Sequence, residues 1–413
     1  MSPPRHSRSQ RESVGGPLSS FDRGALFLWP IAILTILYQA RDTLGPGTAS
    51  DFIPVWQAAR AFVDGAQPYQ VMGFVYPPSA LLLFAPFGVV GFGISHLVFH
   101  VLNIACIVAA ALVSFRIFGV RVTSTIAPAI TFALFISAPV RLTLYTENVN
   151  GIVLAGAMIA FLCAIEGYWA SAGLALGLGF AVKPVLAPVV LLLVLARRWP
   201  ALFTATALPA VLSACALAWL NGGVSYLTQV IPFLANGNYP QNAPINTSLA
   251  GAATVLGLPN ALAIFARSLT LAVGALFIWA RLRIVDDERL VVAHVVGIIL
   301  TTTFLVFSFS WPYYAIYLLP TFMAAISPGR ATANWRYLLF GVAGYLIASQ
   351  DYLATFGGVR VTIGYLVLLA ALSPAPFRFE AAGASMATKP AEPDSIGGSP
   401  RRTSNIRTRP SSS

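Results

Sequence analysis

Residues 41–79 read RDTLGPGTASDFIPVWQAARAFVDGAQPYQVMGFVYPPS, the longest polar interruption near the start of an otherwise apolar chain. The stretch holds Asp42, Asp51 and Asp64, three of only 14 acidic residues in 413. From Asp51 to Val63, the residues Phe52, Val55, Trp56, Ala59, Phe62 and Val63 recur at helical spacing, with Gln57 and Arg60 off that stripe. The pattern predicts a helix lying on a membrane surface with its apolar side down. Asp51, at the start of that helix, would then sit at the water–lipid boundary.

Outward from this loop the chain is 57% hydrophobic and 9% charged, against roughly 25% charged residues in a soluble protein. Apolar runs approaching the ~20 residues that cross a bilayer recur along almost its whole length. These features exclude an ordinary soluble enzyme and predict an all-α, polytopic membrane protein. The runs are continuous rather than alternating, which argues against a β-barrel. The net charge of +11 does not point to nucleic acid. Residues 1–24 carry four Arg against two acids, 374–413 carry six basic residues against three acids, and much of the remainder falls in short loops. That distribution is the positive-inside bias, a report on orientation. Cys106, Cys163 and Cys215 lie inside apolar runs and suit core packing.

The tails 1–24 and 374–413 are expected to be disordered and cytoplasmic, flanking a membrane domain over 25–373. Ala25–Ala40 follows four arginines and lacks a small-residue cleavage site, so it is expected to be a first crossing rather than a removed signal. Loop 41–79 then faces outward. Residues 79–93 are expected to be re-entrant or interfacial, 248–258 a second half-span, and Thr123–Val140 a single crossing. The total is about twelve crossings, with both termini inside.

The predicted outer face collects Asp51, Tyr76, Arg141, Tyr145, Glu147 and Lys183, with Trp311, Tyr313 and Tyr314 at a late helix boundary. From pattern alone the commoner role for Asp51 is a helix N-cap, with catalysis as the alternative. Lys183 is one of two lysines, the other being Lys389 in the tail. In apolar surroundings it must snorkel or bind an anion, and a lipid phosphate is the sharper reading. Arg141 is a second candidate for that work. Glu147, Asn148 and Asn150 at a helix mouth suit either capping or sugar hydroxyls. The amide-rich loop of Asn236, Asn238, Gln241, Asn242 and Asn246 carries the same ambiguity. Trp311, Tyr313 and Tyr314 fit an interfacial aromatic belt or a sugar platform. His6, His96, His100 and His294 have no ligand spacing. No metal and no cofactor is expected.

The motif order carries more than any single motif. D-F-x-P-V-W-x-A-A at 51–59 is followed by G-x-x-P-Y at 65–69, Y-P-P at 76–78 and A-P-F-G at 85–88. N-V-N-G at 148–151, a Gly-rich helix ending K-P at 183–184, and R-R-W at 197–199 come after. This order resembles glycosyltransferase family 87 from about residue 25 to 350. The resemblance implies a GT-C-type bundle using a polyprenyl-phosphate sugar on the outer face of the plasma membrane, with Asp51 matching the catalytic aspartate of the first outer loop. It also supports Lys183 near the donor phosphate. Mannosyl members carry a histidine motif after a Trp late in the chain. Here that place reads S-W-P-Y-Y-A at 310–315, so the sequence looks closer to arabinofuranosyltransferases that use decaprenyl-phosphate arabinofuranose and a cell-wall glycan or glycolipid acceptor.

The expectation is therefore an inverting membrane glycosyltransferase with Asp51 as general base, Lys183 and Arg141 at the donor phosphate, and Tyr76, Glu147, Asn148, Asn150, Trp311, Tyr313 and Tyr314 at the sugar or acceptor. The rivals are a polyprenyl-phosphate-mannose-dependent enzyme and a transporter of lipid-linked sugars, which would carry ionisable groups near mid-membrane.

Overall fold

A computed structural model describes residues 22–45, 47–236, 244–283, 287–326, 335–349 and 356–374. These lie within one compact unit, Met1–Pro374. Residues 1–21 and 375–413, which make up nearly all of the two tails, and Asn238, Gln241 and Asn242 fall outside the described residues.

Among the described residues there are seventeen α-helices. In chain order they are α1 (Arg23–Asp42), α2 (Phe52–Val63), α3 (Pro78–Val89), α4 (Phe92–Phe118), α5 (Ile126–Ile136), α6 (Ala138–Thr146), α7 (Asn150–Ile165), α8 (Trp169–Val182), α9 (Val190–Leu195), α10 (Trp199–Trp219), α11 (Ile231–Asn236), α12 (Leu249–Val255), α13 (Asn260–Arg281), α14 (Glu288–Val306), α15 (Leu319–Ile326), α16 (Trp335–Ala348) and α17 (Gly357–Ala371). Short 3-10 turns at Pro184–Val189 and Pro312–Leu318 lead into α9 and α15.

Five helices, α1, α4, α10, α13 and α14, are long and apolar enough to cross a membrane. The bent pair α5–α6 makes six if it counts as one span. The single crossing expected over Thr123–Val140 is broken by 55°. Ser137 is extended there, and Pro139 sits in the first turn of α6, where it is tolerated, whereas in a helix continuing from α5 it would lose a hydrogen bond and clash with a preceding carbonyl. At 1.5 Å per residue, α3 with 12 residues and α12 with seven reach only about 18 and 10 Å. Neither spans a bilayer core of ~30 Å alone.

The sides of the bundle are apolar and exposed, as lipid contact requires. Only 17% of the apolar window of α1 and of α10 is buried, against 61% for α14, which is the central helix.

Helix α2 forms where the periodicity places it, but its apolar stripe turns into the protein. Phe52, Val55, Ala58 and Ala59 are buried. Phe52 stacks on Phe99 of α4 with ring centroids 4.4 Å apart, and Trp56 Nε1 donates to Val90 O at 3.1 Å. Gly88 of α3 lies so close to α2 that an added Cβ would sit 2.5 Å from the Ala59 carbonyl carbon. The residues left facing outward are Ile53, Gln57, Arg60 and Val63. Asp64 closes the helix and pairs with Arg60 at 2.9 Å, an exposed contact worth at most about 1 kcal/mol.

Helix α8 is held by its small residues. Gly173 and Gly177 abut the backbone of Ala201, Thr204 and Ala205 in α10, a close approach that larger side chains would prevent. Ser79 at the start of α3 donates to Ala181 O at 2.7 Å. Together these contacts fix the end of α8, where Lys183 emerges.

Candidate active site

Two backbone bonds strap loop 41–79 to the end of α6. Ala49 N donates to Tyr145 O and Asp51 N to Thr146 O, both at 2.9 Å. Ala49 takes a φ of +65° to make this turn. The strap sets Asp51 beside the turn that joins α6 to α7. Asp51 precedes α2 but makes no side-chain cap, so the capping role that pattern alone favoured is not what its carboxylate does. Its Oδ2 accepts from Asn148 Nδ2 at 2.7 Å.

Asn148 faces both ways. Its other amide atom, Oδ1, accepts from Lys183 Nζ at 2.8 Å. Lys183 Nζ also donates to Asn150 Oδ1 at 3.0 Å, and that oxygen takes a further bond from the Tyr317 hydroxyl at 2.7 Å. The ammonium lies 5.0 Å from the ring centre of Tyr313 and 4.7 Å from that of Tyr314, within cation–π range. Protein groups therefore hold the Lys183 ammonium. Burial pushes its ammonium down to about 7, opposed by the nearby charge of Asp51. Tyr76 lies in the same neighbourhood, and burial together with Asp51 holds its phenol well above the usual value. It stays a neutral donor.

These groups line a cavity of about 490 Å³ that includes Asp51, Tyr76, Asn148, Lys183, Trp311, Tyr313 and Tyr314. Val75, Pro184, Val185, Phe233, Leu234, Phe307 and Phe309 give it an apolar flank. Trp311 stacks on Tyr313, centroids 5.5 Å apart. The cavity thus combines a carboxylate, a cation, an amide between them, an aromatic wall and an apolar side. Such a set can hold a sugar, take a proton from a hydroxyl and face a phosphate on a greasy tail.

Three expected site residues sit elsewhere. Asn150 lies behind Lys183, as its partner rather than on the cavity wall. Arg141 pairs with Asp42 at 3.2 Å and is not among the lining residues. Glu147 turns away because it takes a left-handed conformation, φ +51° and ψ +48°. Its carboxylate is buried against His96 Nε2 at 2.7 Å and His100 Nδ1 at 3.0 Å.

Asn246 is an internal clip rather than a sugar contact, bonded to Ser308 O, Ser248 N and Ser310 N. Arg267, within α13, donates to Val306 O at the end of α14 and to the Ser308 hydroxyl beyond it.

The sequence did not single out His100, Asn103 or Tyr317 as contributors to the site. His96, His100 and Asn103 stand at i, i+4 and i+7, one face of α4. That spacing was the available signal. Its acidic partner lies 47 residues away from His100, beyond any local pattern.

Residues 74–308 match the family model described as Glycosyltransferase family 87. An alpha-(1->3)-arabinofuranosyltransferase of Mycobacterium tuberculosis is 31% identical over 363 residues, covering 83% of this chain and 82% of the relative. The protein of that name in Mycolicibacterium smegmatis is 33% identical over 322 residues, 75% of this chain and 74% of the relative. At 25% over 327 residues, 76% of this chain and 73% of the relative, stands a polyprenol-phosphate-mannose-dependent alpha-(1-2)-phosphatidylinositol pentamannoside mannosyltransferase, also of M. smegmatis. No solved structure matches the chain. The motif order in loop 41–79 and beyond, the cavity it builds and these relatives lead to one conclusion: the chain belongs to glycosyltransferase family 87 and is a membrane glycosyltransferase.

Proposed function

We propose that the protein transfers an arabinofuranosyl group from a decaprenyl-phosphate donor to a hydroxyl of a cell-wall glycan or glycolipid acceptor, inverting the anomeric carbon. The observation that carries this reading is the bridge from Asp51 through Asn148 to Lys183 on the wall of the cavity. Asp51 is the general base and takes the acceptor proton as that oxygen attacks the anomeric carbon. The bond from that carbon to the phosphate oxygen breaks on the opposite face, and the leaving polyprenyl phosphate gathers negative charge. Lys183 stabilises that charge, and the apolar flank of Phe233, Leu234, Phe307 and Phe309 suits the prenyl chain. Tyr76 and Asn148 offer donors to sugar hydroxyls, and Trp311, Tyr313 and Tyr314 a stacking surface.

The same reading takes the fold as GT-C-type, with about twelve crossings counted over long and short helices and α2 near the membrane interface. It sets both termini in the cytoplasm and the cavity at the outer face of the plasma membrane. The pentose assignment rests on the arabinofuranosyltransferase relatives. The mannosyltransferase relative at lower identity keeps mannose as the second reading.

The test is transfer by the purified, reconstituted protein from synthetic decaprenyl-phosphate arabinofuranose and decaprenyl-phosphate mannose to an oligosaccharide acceptor. Transfer from the pentose donor is the expected result. Transfer from the mannose donor alone would replace the sugar assignment, and donor crossing the bilayer without transfer would replace the enzyme by a transporter.

A further inference from the structure

Three residues of α4 grip the turn that carries Asn148. Asn103 Nδ2 donates to Asn148 O at 2.8 Å, and Gly151 packs against Asn103 with no room for a Cβ. His100 Nδ1 lies 3.0 Å from Glu147 Oε1. His96 Nε2 lies 2.7 Å from the same oxygen, in ion-pair reach but outside hydrogen-bond geometry. Glu147 itself is 1% exposed and left-handed, a costly choice for a buried, non-glycine residue that only strong surroundings sustain.

The hydrogen-bond logic at His100 is restrictive. Its Nε2 lies 3.1 Å from Ala40 O, which can only accept, so Nε2 carries a hydrogen. Thr43 lies 3.4 Å from the same nitrogen, while its own hydroxyl proton goes to Gln39 O at 2.6 Å. The opposite nitrogen, Nδ1, faces a Glu147 carboxylate oxygen at 3.0 Å, and this contact ties Glu147 to α4. The same helix, through Phe99 on Phe52, also locks the start of α2 next to Asp51.

We propose that Glu147, clamped by His100 and His96, is a positioning residue that holds Asn148 in register between Asp51 and Lys183. It touches no substrate and acts through Asn148. The inference rests on the proposed roles of Asp51 and Lys183, so its test has a readout that needs no turnover.

Two quantities are measured on the full-length protein in nanodiscs: binding of decaprenyl phosphate by thermal shift, and kcat with decaprenyl-phosphate arabinofuranose. Glu147→Ala is expected to weaken phosphate binding about tenfold and to lower kcat by about 10- to 100-fold, the scale of an ångström-sized misplacement. Glu147→Gln, whose amide can donate to a neutral His100, should restore both to within about twofold. In an Asn148→Ala background, Glu147→Ala should add almost nothing, because residues acting through one contact are not additive. His100→Phe keeps the ring, removes both nitrogens, and carries the same test if Glu147→Ala fails to fold. Wild-type binding and kcat in Glu147→Ala or, where that variant does not fold, in His100→Phe, or a full extra loss on top of Asn148→Ala, would overturn the proposal. A wild type that binds decaprenyl phosphate but transfers only mannose would remove the sugar assignment, and the binding series would still decide the clamp.

Discussion

Asn148 donates its side-chain N–H to Asp51 Oδ2 at 2.7 Å, across 97 residues of sequence. With its other amide atom engaged by Lys183, Asn148 orients a carboxylate and an ammonium at once without neutralising either. Its replacement should therefore damage rate more than binding of the acceptor. Asn148→Ala is predicted to lower kcat by about 10- to 100-fold. Asn148→Asp, closer in shape, is predicted to be worse than Ala, since it sets a second carboxylate against Asp51. Steady-state kinetics of the two variants decide this, and an Asp variant faster than Ala would remove the bridge as the reason.

Lys183 yields a prediction with opposite signs for activity and stability. Burial pushes its ammonium down to about 7 in the folded protein, against about 10.4 in the unfolded chain. If the charged form holds the donor phosphate, kcat/KM should fall as pH rises through about 7. Between about 7 and 10.4 only the unfolded chain binds the proton, so this group makes stability rise with pH over that window. The destabilisation from burying the charge is fully present below pH 7. Lys183→Met should flatten both profiles and lower kcat by about 10²- to 10³-fold. Lys183→Arg should rescue little, because a planar fork does not match the two amide oxygens and two rings around Nζ. A pH–rate profile of Lys183→Met that keeps the wild-type limb would assign it to another group.

Tyr313 and Tyr314 present ring faces to that ammonium. Such contacts contribute about 0.5 to 2 kcal/mol, or roughly 2- to 30-fold in donor affinity. Phe at either position should retain most of the affinity and Leu should lose it. A Phe variant as poor as Leu would mean that the hydroxyl, not the ring, is what matters.

Gly88 of α3 leaves no room for a Cβ against the backbone of α2. Gly88→Ala forces the two helices apart and should lower stability by about 1 to 3 kcal/mol, as over-packing does. Since α2 begins one residue after Asp51, activity at permissive temperature should fall as well. Melting of the solubilised protein, paired with an activity assay, reads both.

Much of this arrangement was legible in the sequence where helix ends and polar loops coincide. Asp51, Tyr76, Asn148, Lys183, Trp311, Tyr313 and Tyr314 all stand at such junctions, and all line one cavity. What escaped is what depends on turn direction and distant pairing. Glu147 sits one residue before Asn148, yet a left-handed turn sends its side chain to the other side. Arg141 meets Asp42, 99 residues away. The stripe of α2 is equally suited to lipid and to protein, and Phe87, Gly88, Phe92 and Phe99 opposite it decide for protein. Crossing number is obscured for a similar reason. Helices of 12 to 16 residues such as α3, α7 and α8 are apolar enough for a membrane and too short to span it singly.

The most direct measurement is kcat of reconstituted Asp51→Asn with decaprenyl-phosphate arabinofuranose and an oligosaccharide acceptor, alongside its melting temperature and decaprenyl-phosphate binding. As general base, Asp51 is predicted to be worth about 10²- to 10⁴-fold in kcat, with melting temperature and phosphate binding close to wild type. Asp51→Asn with full wild-type kcat would contradict its role as the base.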